Sequence, residues 1–174
     1  QGPVATALNA CRTYQQEEAW AWEHLALTRA RAVAGPADLA ADIAQTIADV
    51  LQAHADDARI LPDLAEMRGR IAAAKQASSD WDAKLGPGRL QDVDLLAQAA
   101  SLKAGGAAAP TTAAQITAGQ AHGWFTQADA EALQAAHDLA WKVQATGRLL
   151  TGDVLDPAVL GAGGVEMLLR ETQM

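Results

Sequence analysis

The sequence predicts an all-α protein, a helical bundle of about six to eight helices with a long loop before Asp92. Three observations carry that expectation. Apolar residues recur at three- and four-residue intervals through most of the 174 residues. Ala, Leu, Gln, Glu and Arg, the better helix formers, dominate the composition. Alternating runs of β-branched and aromatic residues, the mark of strands, are missing. With half of its residues hydrophobic, the chain can bury one core, so residues 1–174 are read as a single helical domain.

The elements follow in order. From Val4 to about Ala32, the residues Leu8, Cys11, Tyr14, Trp22, Leu25 and Ala26 form one stripe, expected as a long helix with an interruption near Thr13 and an end at Gly35-Pro36. Leu39, Ile43, Ile47, Val50 and Leu51 predict a second helix, and Leu61, Leu64, Met67, Arg68 and Ile71 a third that begins near Pro62. Gln76 to Gln91 contains SSDWD and GPG without periodicity and is read as a long loop. Asp92 is placed as the cap of a helix through Leu95, Leu96, Ala99 and Leu102, and residues 103–111, beginning KAGGAAAP, as a flexible internal linker. Thr112 to Ala121 predicts a short helix. Thr126 with Asp129 predicts a capping box opening a long helix to about Thr151, its inner face traced by Leu133, His137, Ala140, Trp141 and Leu149. A turn at Pro157 to Leu160 and a helix from about Gly164 to Glu171 complete the order.

A formal net charge of −8 argues against general attraction to a nucleic-acid backbone or an anionic lipid surface, so the partner is expected to be protein or a small molecule. Cys11 is the single cysteine, which excludes an internal disulfide. No signal-peptide pattern and no membrane-length apolar run stands out, so a soluble, cytoplasmic protein is expected. The chain opens on Gln1 and stops at Met174 just past an apolar run, and it is read as a fragment of a larger multidomain protein.

Motifs with possible chemistry sort quickly. In KLGPGRLQDVDLLAQ, Gly86 and Gly88 begin a Gly-x-Gly pattern, but Gln91 stands where a dinucleotide fingerprint needs its third glycine, and no strand precedes it. A phosphate loop would need Gly-Lys-Ser/Thr where Gly88, Arg89 and Leu90 stand. Gly161, Gly163 and Gly164 are read as an ordinary helix start. Asp92 and Asp94 spell an Asp-x-Asp pair, yet alternate residues of a helix point about 200° apart, so the two carboxylates do not share an ion there. His24, His54, His122 and His137 lie far apart in sequence without a helical metal spacing, and no metal is expected. Nothing local activates Ser78, Ser79, Ser101 or Cys11. In EEAWAWEHLALTRARAVAG, Trp20 and Trp22 fall on different faces, so one is expected inside the bundle and the other, with Glu23 and His24, at a contact with another domain.

Several segments carry a family resemblance. YQQEEAWAWEHLALTRARAVAG, Tyr14 to Gly35, closely resembles the sequence after the catalytic palm in the C-terminal half of bacterial glutamine synthetase adenylyltransferases, also called glutamate-ammonia-ligase adenylyltransferases. QGPVATAL looks like the last residues of that palm, residues 1–3 being its end. DLAEMRGRIAAAK, from Asp63, matches the next family helix, KLGPGRLQDVDLLAQ answers to the pattern K-L-G-P-G-G-L-x-D-I-E-F-L-x-Q, and GAGGVEMLLRET resembles the final segment. This chain departs at Arg89, where the family tends to glycine, and at Asp94-Leu95, where it has Glu-Phe.

The resemblance implies a parent enzyme that transfers AMP from ATP to a tyrosine of glutamine synthetase with metal-bound carboxylates on the palm. Mg and ATP belong to that parent, and no cofactor is expected to bind this fragment alone. It also implies the missing palm in cis, glutamine synthetase and the PII signalling protein as partners, in a bacterial cytoplasm. The palm's Gly-Ser and paired-aspartate signature is absent, so the fragment is expected to be inactive alone. Arg29, Arg31, Lys84, Gly86, Gly88 and Asp92 are then the candidates for a surface facing the palm or the nucleotide. The competing expectations are an independent helical protein-interaction module and a self-contained metal-dependent transferase using Asp92 and Asp94.

Overall fold

Eight helices and no strand make up residues 5–106 and 110–173, the part of the chain that the computed structural model describes. The expected palm end at residues 1–3 lies outside these residues, as does the middle of the expected linker at 107–109. In chain order the helices are α1 (Leu8–Glu17), α2 (Ala21–Leu27), α3 (Ala37–His54), α4 (Ile60–Ala74), α5 (Leu90–Lys103), α6 (Thr112–Ala121), α7 (Gln127–Leu150) and α8 (Ala162–Thr172). Together they form a helical bundle.

The single long helix expected at the N-terminus is two helices. The break lies at Glu18–Trp20, not near Thr13, because Glu23 reaches back to accept the Trp20 backbone N–H at 2.9 Å and starts a new helix there. α2 ends at Leu27, short of Ala32, where the Thr28 hydroxyl donates to the Leu25 carbonyl at 2.7 Å. α6 and α7 occupy the expected ranges, since each begins on a threonine whose hydroxyl accepts a backbone N–H three residues on. Asp129 completes the box by accepting from the Thr126 backbone at 3.2 Å.

Asp92 is not a cap. α5 starts two residues earlier, at Leu90, and Arg89 stands at its N-cap. The inner face of α7 also differs from the expected one: Trp141 and Leu149 are exposed, while Ala130, Val143, Thr146 and Gly147 are buried.

Three apolar clusters hold the bundle. Leu25, Leu51, Ile60, Ala99 and Leu102 join α2, α3, α4 and α5. Val93, Ala97, Ile116 and Ala130 join α5, α6 and α7. Val143, Leu155 and Leu168 fasten the end of α7 and α8, with Ala83 of the long loop against them. α5 therefore serves two clusters from its two sides, which fixes where its acids point. Among the described residues no helix is long and apolar enough to cross a membrane.

Candidate functional site

The loop between α4 and α5 is ordered by two side chains. Asp82 accepts the backbone N–H of Ser78 at 3.0 Å, of Lys84 at 3.0 Å and of Leu85 at 2.9 Å. Partial burial raises the pKa of this carboxyl, and those backbone donors outweigh it, holding the group below its ordinary range. Arg89 folds back over the loop and donates to the carbonyls of Ser79 and Asp82. Gly86 (φ 121°) lies against that guanidinium: a Cβ there would come within 2.9 Å of Arg89 Nε. Both the left-handed backbone and the missing side chain are needed.

At the loop's end, Asp92 receives a fork from Arg68 on α4, with Nε and Nη2 each 3.0 Å from a carboxylate oxygen, and takes the Gly88 backbone N–H at 2.9 Å. Two parallel charge-assisted bonds fix geometry as well as charge. Asp92 in turn raises the pKa of the Arg68 guanidinium. Gly86, Asp92, Arg68, Lys75, Gln91 and Leu95 line a half-enclosed cleft of about 230 Å³.

Asp94 faces the opposite way. It accepts the Thr112 hydroxyl at 2.7 Å, and Arg29 and His137 Nε2 stand 3.5 and 3.7 Å from it. The two aspartates of the Asp-x-Asp pair thus serve separate partners on separate sides of α5. They do not fit a shared magnesium ion, and among the described residues no group of three or more His, Cys, Asp or Glu side chains is placed to hold a metal.

The candidates from the sequence scatter accordingly. Gly86, Gly88 and Asp92 come together. Lys84 is exposed and lines another groove, with Trp81, Gln144, Arg148 and Leu155. Arg29 is tied to Asp94, and Arg31 is exposed. Trp20 and Trp22 are both exposed, at 67% and 52%, so neither enters the bundle as expected of one of them. Glu23 accepts from the Tyr14 hydroxyl at 2.8 Å, raising the tyrosine's pKa. His24 is interior at 4% exposed, and its ring stacks on that of His54 with centroids 3.9 Å apart, so two histidines distant in sequence are neighbours.

Among the roles that sequence reasoning missed are those of Arg68 and Gln115. Arg68 read as part of an apolar stripe, and only its position four residues after Leu64 on the α5-facing side of α4 hints at its partner. Gln115, fully buried on α6, donates to the carbonyl and the hydroxyl oxygen of Thr28 at 3.2 and 3.1 Å, tying α6 to the end of α2. No local signal marks that bond.

Two family models match the chain: glutamate-ammonia ligase adenylyltransferase over residues 1–46, and GlnD PII-uridylyltransferase over residues 59–153. A bifunctional glutamine synthetase adenylyltransferase/adenylyl-removing enzyme of Rhodopseudomonas palustris is 36% identical over 173 residues, 97% of this chain and 18% of that protein. The enzyme of the same description from Mesorhizobium japonicum is 39% identical over 155 residues, 87% of this chain and 16% of that one. That of Rhizobium meliloti is 45% identical over 104 residues, 60% of this chain and 10% of the relative. The chain spans less than a fifth of the length of these relatives. No solved structure matches it.

Proposed function

The chain belongs to the glutamine synthetase adenylyltransferase family, and from that premise we propose that it is the helical domain following the nucleotidyl-transfer palm of such an enzyme. The parent would move AMP from ATP to a tyrosine of glutamine synthetase, under control of the PII signalling protein. The observation that carries this reading is the 36% identity along 97% of the chain to a protein described as that enzyme.

The chain's own part in the reaction is positioning. Catalysis of nucleotidyl transfer rests on placing reactants and stabilising developing charge. Asp92 and Asp94 diverge across α5 and do not act as a shared metal pair, and in this reading ATP and magnesium are assigned to the palm. What the domain offers is a loop held in one shape by Asp82, Arg89 and the Arg68–Asp92 fork, carrying the exposed ammonium of Lys84 outward. Arg29, whose guanidinium lies 3.5 Å from Asp94 and away from the Lys84 groove, is the second candidate cation. Against a palm-bound triphosphate, such cations favour the charge that develops on transfer.

Incorporation of labelled AMP into glutamine synthetase tests the reading. The 174-residue chain alone is expected to transfer none, and a chain extended N-terminally through the palm is expected to transfer. In the longer protein, Lys84→Ala with Arg29→Ala is expected to lower the rate about tenfold or more with an unchanged far-ultraviolet circular dichroism spectrum. Transfer by the short chain would overturn the assignment, and an unchanged rate would remove the two cations from the mechanism. An independent interaction module is favoured by one observation, the exposure of all five tryptophans, Trp20, Trp22, Trp81, Trp124 and Trp141. Binding of glutamine synthetase or PII by the short chain would support that second reading.

A further inference from the structure

α1 stands on the bundle with a thin apolar footing, Leu8 and Cys11 being only partly covered. None of its residues is buried. Its ties are polar: Arg12 Nη2 donates to Thr46 Oγ1 at 2.8 Å, the Tyr14 hydroxyl to Glu23, and the Gln15 carbonyl oxygen lies 2.9 Å from His24 Nε2. α3, its neighbour, buries only Thr46, Val50 and Leu51, all in its second half, and leaves Leu39 exposed. Next to them two exposed tryptophans, Trp20 at the N-cap of α2 and Trp22 within it, line a groove of about 450 Å³ with Met67, Asp63, Glu66 and Arg70 of α4. The Tyr14–Glu23–Trp20 bonds tie α1 to the residue at the edge of this groove.

A helix of this length is marginal in water by itself, and most helical stability in proteins comes from packing an apolar face. Two exposed tryptophans lining one groove rimmed by charged side chains mark a contact. We propose that the face running from α1 across Trp20 and Trp22 to α4 is the seat of the polypeptide that precedes this chain in the longer protein. This rests on the reading of the chain as one domain of a longer adenylyltransferase. The choice of occupant follows from connectivity. The relatives are several times longer than this chain, and the described backbone enters at residue 5, three residues before α1. A preceding segment is thereby tethered beside the open face at an effective concentration of the order of millimolar, which a second copy or a free protein does not match. The mixture of Trp, Met and charged side chains resembles the partly polar surface of contacts between domains of one chain.

The test uses the full-length protein without ATP or glutamine synthetase, so it answers whether or not the protein transfers AMP. Hydroxyl-radical footprinting reads the oxidation of Trp20 and Trp22 against the same protein unfolded in urea. Occupancy predicts oxidation slowed at least about fivefold at both and independent of protein concentration. Oxidation near the unfolded rate, or protection that appears only as concentration rises, would overturn the proposal. Trp22→p-benzoylphenylalanine then identifies the occupant by photo-cross-linking: a cross-link to residues before Gln1 supports the proposal, and one to a second copy or to residues after Met174 overturns it.

Discussion

Gly119 shows how one missing side chain sets the contact between two helices. It lies inside α6, where alanine would be the better helix former by about 1 kcal/mol. A Cβ at that position would sit 2.6 Å from Phe125 Cε2 and 2.9 Å from the Ala100 methyl on α5. Overpacking of this kind costs about 1–3 kcal/mol, so packing outweighs propensity. Gly119→Ala is expected to lower the unfolding free energy by about 1 kcal/mol in urea melts; an increase would mean that Phe125 swings aside at no cost. Neither this glycine nor Arg89 was legible as structural from the sequence. Arg89 read as a departure from a family pattern, and its purpose is visible only once its guanidinium lies over Gly86 and on the carbonyls of Ser79 and Asp82. A residue that bonds its own loop's backbone leaves no spacing signal, unlike a cap.

Caps explain which elements the sequence revealed. The start of α7 was legible to the residue because Thr126 and Asp129 satisfy helix-end donors by short-range bonds that the sequence shows, and Thr111 caps α6 in the same way in the fold. The break between α1 and α2 was misplaced because the N-cap there is Trp20, a residue with no capping oxygen, and the signal was Glu23 alone. The outward turn of both tryptophans was hidden for a different reason: burial depends on what covers α2, and helical periodicity does not report it. The joint between α2 and α3 carries a pH dependence. Burial first, then the neighbouring His24, lowers the pKa of His54 below its ordinary 6.5, with Arg59 acting in the same sense and Asp57 and the Gln15 backbone opposing. The folded state thus disfavours a proton that the unfolded chain accepts. Stability contributed by neutral His54 is present above about pH 6.5 and is lost as pH falls from there through the lower folded-state value. Urea melts across that window should show a positive slope of stability with pH that His54→Phe makes shallower. An equal slope in the variant would separate the stacked rings from the effect.

At the scale of the molecule, the three clusters are chained and not concentric, and this predicts unequal responses to equal lesions. α5 belongs to two of them, through Ala99 and Leu102 on one side and Val93 and Ala97 on the other. α8 belongs to one, and packs chiefly on α7. Leu102 and Leu168 are both essentially buried leucines, so truncation of either removes a similar apolar volume at about 2–5 kcal/mol. Their consequences differ by connectivity. Leu102→Ala should loosen the joint through which α2, α3 and α4 meet α5, and native-state hydrogen exchange should quicken across all four helices and in α6. Leu168→Ala should release α8 and the end of α7, with the amides of α2 to α5 as protected as before. Uniform acceleration in both variants would mean that the bundle opens as one cooperative unit. The predicted asymmetry places the Asp82–Arg89 loop at the seam, since Ala83 packs on the third cluster while Asp92 is bonded to α4. An opening of α8 would therefore loosen the Lys84 end of the loop before the Asp92 end, so exchange at the Leu85 amide should rise in Leu168→Ala while that at Gly88, bonded to Asp92, holds.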